Sequence, residues 1–169
     1  MNPDHLLDQA ARLLSPAAGR PRQADLRRAV SACYYALFHH LIDLACQRAA
    51  GTGPERADLR NTLARGFSHG EMRDASRSFS GGTLPSQLAG RYAGATVPSK
   101  LRQVAAAFVR LQTERHLADY DRGQIFSQTD VADLLVVARR AVRVATEQRS
   151  TDLGRLYLLA LLTWGKLRR

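Results

Sequence analysis

Residues 23–50 read QADLRRAVSACYYALFHHLIDLACQRAA, and their reading decides the fold. Leu26, Val30, Cys33, Leu37, Leu41 and Leu44 recur at spacings of three and four, which lays one apolar stripe along a single long helix. Such a stripe has to be covered by other elements. Gly51-Thr52-Gly53-Pro54 follows at once and ends the helix, since glycine and proline cannot continue it.

Working outward, the same period recurs and no segment alternates as a strand would. A helix is expected from Pro3 to Leu14, broken by Ser15-Pro16 and by Gly19-Arg20-Pro21. Short helices are expected from Pro54 to Ala64 and from Ser68 to Phe79. Residues 80–99 are rich in glycine and proline and read as a long loop, a length that is uncommon unless the loop is functional or mobile. A helix from Pro98 to Asp119 comes next. Ser127-Gln128-Thr129-Asp130 is a capping box opening a sixth helix, and a last helix spans Thr151 to Leu167. The fold expected is all-α, an antiparallel bundle of about five core helices plus short ones and a C-terminal helix, in one domain covering residues 1–169.

Composition narrows the function classes. The chain has 169 residues, 45% of them hydrophobic, which suits a folded core. Cys33 and Cys46 fall on different faces of one predicted helix and cannot bridge within it. With no CxxC or CxxH cluster, neither a disulfide framework nor a zinc site is expected, and adjacent His39 and His40 point apart on a helix. No metal and no cofactor is expected. Met1-Asn2-Pro3-Asp4-His5 has no basic-then-apolar leader pattern. The most apolar run, Leu156 to Trp164, is short of the roughly 20 residues that span a membrane. A cytoplasmic protein without a membrane partner is the expectation. The net charge is +10, carried almost wholly by arginine, with Lys100 and Lys166 the only lysines. Excess positive charge favours RNA, a nucleotide or an acidic protein; an arginine-rich, lysine-poor composition also follows from GC-rich coding.

Two places could carry chemistry. Arg28, Tyr35 and His39 fall within about 40° of one another on the long helix. Arginine can hold a phosphate, tyrosine can stack on a base and histidine can hydrogen-bond to either; alternatively the neighbouring aromatics fill the core and Arg28 points to water. In the fifth helix Leu101, Val104, Phe108 and Leu111 form an apolar stripe whose next member is Arg115. A charge there is costly unless paired, and Asp119 lies one turn on, within ion-pair reach. The pair reads either as a functional site or as a structural bridge at the bundle end.

Arg27-Arg28-Ala29-Val30-Ser31-Ala32-Cys33-Tyr34-Tyr35-Ala36-Leu37-Phe38-His39 resembles the HEPN signature, in which an arginine precedes a Tyr-Tyr-Ala-x-Phe-His block. Arg115-His116-Leu117-Ala118-Asp119-Tyr120 is similar to that group's second signature, Arg-x-x-Ala-Asp-Tyr. Phe126 with its capped helix, and Ser68-His69-Gly70 before a short amphipathic helix, also fit. The resemblance covers residues 25–148. It implies an antiparallel, usually dimeric bundle, and a ribonuclease-like or RNA-binding protein of a toxin–antitoxin or defence module. The implied partners are RNA or a nucleotide, and a nucleotidyltransferase antitoxin. Arg28, Tyr35, His39 and His69 would contact RNA or nucleotide. Active relatives carry Arg-x-x-x-x-His in a cleft between subunits, where histidine activates the ribose 2′-hydroxyl and arginine stabilises the phosphate. Here Arg115 matches that arginine and Tyr120 stands in the histidine's place, so the candidate catalytic set is Arg115 with His116, Asp119 and Tyr120 assisting. The alternative is a non-catalytic module that binds RNA, a nucleotide or its partner. For the homodimer, the fifth helix is the expected interface, and the last helix, through Leu156, Leu159 and Trp164, is the competing one.

Overall fold

The long apolar stripe forms helix α2, Gln23–Ala50, with Leu26, Val30, Cys33, Leu37, Leu41 and Leu44 all buried. The computed structural model describes residues 2–15 and 19–167; Pro16, part of the expected first break, lies outside them. Among the described residues the protein is helical. α1 is Pro3–Leu14, α3 Ala57–Ala64, α4 His69–Ser80, α5 Ser99–Tyr120, α6 Gln128–Gln148 and α7 Asp152–Leu167. Short 3-10 turns stand at Pro54–Arg56 and Gly90–Tyr92, the first taking the opening residues of the expected third helix. By length and composition α2 could cross a membrane, and 78% of its most apolar window is buried inside the protein.

The chain divides into two compact units. The first comprises residues up to His40 together with Ala107–Arg143; the second comprises Leu41–Ala106 together with residues from Val144 onward. In the first unit the buried side chains are Leu7 and Leu14 of α1, Leu26 to Leu37 along α2, Phe108 and Leu111 of α5, and Val131 and Leu134 of α6. Tyr34 is fully buried, its ring centroid 5.7 Å from that of Phe108. The capping box forms as the sequence predicts: Asp130 N donates to Ser127 Oγ at 3.0 Å, and Ser127 Oγ donates back to Asp130 Oδ2 at 2.6 Å. Gln128, the next residue, donates to the last carbonyl of α1, Leu14 O, at 2.8 Å.

The second unit is built on α4 against α7. Phe79 meets Tyr157 at 4.9 Å between ring centroids and Trp164 at 6.1 Å. The buried Tyr157 hydroxyl is satisfied by Ser76 Oγ at 2.8 Å. Burial raises the Tyr157 phenol far above its usual range, with Ser76 opposing only part of that rise. The competing interface is corrected here. Leu156 and Trp164 belong to the unit's own core, Trp164 being 1% exposed, and of the three residues only Leu159 faces outward. An apolar helix was read as a pairing surface because its period does not say which side is already covered.

The expected loop of residues 80–99 is also more ordered than its composition suggests. Val97 N donates to Gly82 O at 2.8 Å and Leu84 N to Ala95 O at 2.9 Å, closing the segment on itself around an isolated Thr83–Thr96 bridge. Leu84, Leu88 and Val97 are buried and anchor it. Gly82 takes φ +90° with the Arg102 guanidinium against it, a backbone conformation that a residue with a side chain adopts only under strain.

Two helical glycines give a stability test. A Cβ on Gly154 would collide with the Gln148 carbonyl oxygen and lie 2.7 Å from Thr151 Oγ1, the hydroxyl that accepts Gly154 N. A Cβ on Gly70 would meet nothing within 4 Å. Gly154→Ala should lower stability by about 1–3 kcal/mol, whereas Gly70→Ala should leave it unchanged or raise it by up to about 1 kcal/mol. Thermal unfolding of the two variants side by side checks this.

Candidate functional site

The site is assembled in the first unit by a ladder of contacts between α2 and the end of α5. A helix leaves its last carbonyls without intrahelical partners. Here Arg27 takes one of them and two just beyond the helix: Nη1 donates to Ala118 O at 2.8 Å, and Nη2 to Asp121 O at 2.9 Å and to Gln124 O at 2.5 Å. Gln23 clasps the backbone just beyond, donating to Phe126 O at 2.7 Å and accepting from Phe126 N at 3.0 Å. One turn along α2, Ser31 Oγ donates to Asp119 Oδ1 at 2.8 Å. One turn further, the Tyr35 hydroxyl accepts from Arg115 Nη2 at 2.8 Å.

Arg115 sits at the centre. Its side chain is 18% exposed, and Nε lies 2.6 Å from Asp119 Oδ2, a contact that lacks hydrogen-bond geometry and is an ion pair. The guanidinium carbon stands 5.4 Å from the Tyr35 ring centroid and 5.6 Å from that of Tyr120, within cation–π range of both. Burial alone would ease the proton off; the Asp119 carboxylate and the two phenols outweigh it, so the guanidinium holds its proton even more firmly than usual.

His39 extends the cluster by stacking on Tyr35, with centroids 5.8 Å apart and planes 22° from parallel. The His116 ring lies 4.9 Å from the Tyr120 ring, and Tyr120 itself is 65% exposed. Arg28 is exposed and lines an open hollow of about 410 Å³ with Arg27, Ser31, Ala118 and Asp119. The residues named from the sequence on α2 and α5 therefore sit close together. His69 belongs to the second unit, as the exposed first residue of α4 behind its cap Ser68.

Sequence reasoning passed over Arg27 and Ser31. Their signal was the i, i+4, i+8 series of Arg27, Ser31 and Tyr35, which marks one helix face. Two adjacent arginines are equivalent on composition, and only the position of the α5 carbonyls tells Arg27 from Arg28. Among the described residues no group of three or more His, Cys, Asp or Glu is placed to hold a metal ion. Chemically, the cluster offers a fixed cation, an exposed phenol and an exposed imidazole side by side.

The two arginines separate on substitution. Arg27→Met leaves the Ala118 carbonyl of α5 and the Asp121 and Gln124 carbonyls just beyond it without their charged donor and should destabilise the protein by about 1.5–3 kcal/mol. Arg28→Met touches no such bond and should stay within about 0.5 kcal/mol of the parent. Denaturant unfolding of both variants measures the difference.

Comparison with protein-family models, with curated proteins and with solved structures finds no match.

Proposed function

We propose that the chain is a HEPN-like helical module that acts on RNA or a nucleotide through the Arg115 cluster. In this reading it works as a homodimer and is the toxin-like half of a pair with a nucleotidyltransferase antitoxin. The observation that carries the proposal is Arg115 itself: a guanidinium on a stripe where folding alone favours leucine, braced by Asp119 and Tyr35 and flanked by two aromatic rings. Arginine suits phosphate because its planar fork presents parallel donors and stays charged. The exposed Tyr120 ring and His116 beside it offer stacking surfaces for bases. Arg28, at the mouth of the neighbouring hollow, adds unsatisfied positive charge for the backbone.

A ribonuclease version of the same reading is favoured by one observation, the imidazole of His116 packed beside Tyr120 within the cluster. In that version His116 accepts the proton of the ribose 2′-hydroxyl as its oxygen attacks the adjacent phosphorus, the P–O5′ bond breaks to leave a 2′,3′-cyclic phosphate, the departing 5′-oxygen takes a proton from water, and Arg115 stabilises the charge that develops on the phosphate. A phenol is a poorer base than an imidazole at neutral pH.

Fluorescence anisotropy with a labelled single-stranded RNA tests the proposal. Binding should weaken steeply with salt, and Arg115→Leu should lose at least about tenfold in affinity while its melting temperature stays close to the parent's, because leucine suits the apolar stripe and the partly exposed ion pair contributes little. Marked unfolding of Arg115→Leu with RNA binding kept in the folded fraction would make Arg115 a structural partner of Asp119 and overturn the assignment. In the ribonuclease version, His116→Ala should abolish RNA cleavage and keep RNA binding. Sedimentation should give twice the chain mass of 18.7 kDa.

A further inference from the structure

The second unit holds two adjoining hollows of opposite chemistry. One, of about 380 Å³, is walled by Leu63 and Phe67 on one side and by Leu156, Leu159 and Leu162 of α7 on the other. Its size falls in the range of small-molecule pockets, roughly 300–1,000 Å³. The other, of about 200 Å³, is polar and lined by Arg48, Arg149 and Arg155 with Thr52 and Ser150. Arg48, Arg155 and Leu158 line both, so the arginines stand at the junction.

Charge sharpens the picture. Among the described residues none of Arg48, Arg149 and Arg155 pairs with a carboxylate. The acid beside the apolar hollow is already used: Asp152 accepts from Arg91 Nη2 at 2.7 Å and from the Tyr92 hydroxyl at 3.1 Å. Three exposed arginines thus line one small hollow with no paired carboxylate among the described residues, and positive charge gathered in this way attracts an anion. On the apolar side Leu159 is left 52% exposed on a helix whose other large side chains are mostly buried. Away from Arg48 and Arg155 at the junction, the apolar hollow is lined mostly by hydrocarbon, and its Tyr92 hydroxyl is committed to Asp152. Such a lining suits an aliphatic body.

We propose that the two hollows together bind an amphiphilic carboxylate of the fatty-acid class, its chain among Leu63, Phe67, Leu159 and Leu162 and its head group held by Arg48, Arg149 and Arg155. The site is independent of the Arg115 cluster and of the RNA reading.

Isothermal titration calorimetry on the full chain tests it, with decanoate, decanol and adenosine monophosphate as probes. Decanoate should bind at one site per chain, and decanol at least about tenfold more weakly, since a charge-assisted head-group contact is lost. The double variant Arg48→Gln/Arg155→Gln should bind decanoate no better than decanol. Leu159→Glu, which sets a carboxylate in the apolar hollow, should abolish decanoate binding. Both variants change exposed side chains, and circular dichroism melts confirm that they fold. The proposal is overturned if decanoate gives no binding to the folded parent, if decanol binds equally well, or if neither variant weakens decanoate. Binding of adenosine monophosphate in place of decanoate would assign the hollows to a nucleotide and equally overturn it.

Discussion

The guanidinium of Arg27, holding a carbonyl at the end of α5 and two just beyond it, is the contact on which the Arg115 cluster depends. Carbonyls at a helix end need donors, and a cation there also complements the negative end of the helix dipole. Because Arg27 reaches Ala118, Asp121 and Gln124 at once, and Gln23 clasps Phe126, the end of α5 is fixed in register against the start of α2. Every later contact follows from that register. Moving up α2 by one turn at a time from Arg27 to Ser31 to Tyr35 moves back along the chain from the Asp121 and Gln124 carbonyls to Asp119 to Arg115. The two helices run antiparallel here, and each rung is a hydrogen bond to a side chain or carbonyl whose position the rung below has set.

This ladder explains how a charge persists on an apolar stripe. A lone buried guanidinium would be strongly unfavourable. Arg115 is instead only partly buried, faces a carboxylate that is itself held by Ser31, and shares its remaining surface with two rings. Asp119 keeps 30% of its side chain exposed, so water screens the pair and its net contribution to stability is small. The bracing makes the cation rigid more than it makes the fold stable. Rigidity at a partly exposed cation is what phosphate recognition uses, because no side-chain ordering is then left to be done on binding.

Much of this was legible in the sequence, and the parts that were not share one cause. Spacings of three and four show which side chains neighbour one another along a single helix, and so the α2 stripe, the capping box at Ser127 and Asp130, and the Arg115–Asp119 pair could all be read directly. Spacing does not show what faces a helix from elsewhere. Arg27 and Arg28 differ only by a rotation about the axis, yet one caps α5 and the other lines an open hollow. Tyr34 and Tyr35 divide in the same way, one buried against Phe108 and the other bonded to Arg115. Leu156 and Trp164 read as free apolar surface until α4 is seen to supply Phe79. Residues 80–99 read as a structureless loop because their anchors, Leu84, Leu88 and Val97, follow no helical or strand period.

The same contacts bear on why the chain's positive charge is arginine. GC-rich coding explains an excess of arginine over lysine anywhere on a surface, but it predicts nothing about geometry. At position 27 the two terminal nitrogens serve different carbonyls, Nη1 on Ala118 and Nη2 on Asp121 and Gln124. At position 115 Nε faces Asp119 while Nη2 donates to Tyr35, with the Tyr35 and Tyr120 rings both within cation–π range. Lysine presents its donors from a single nitrogen on a flexible stem and cannot reach separated acceptors from two fixed terminal atoms as the guanidinium does. At these two positions the planar fork is required by what surrounds it. Composition therefore accounts for much of the surface arginine, and the ladder between α2 and α5 accounts for Arg27 and Arg115.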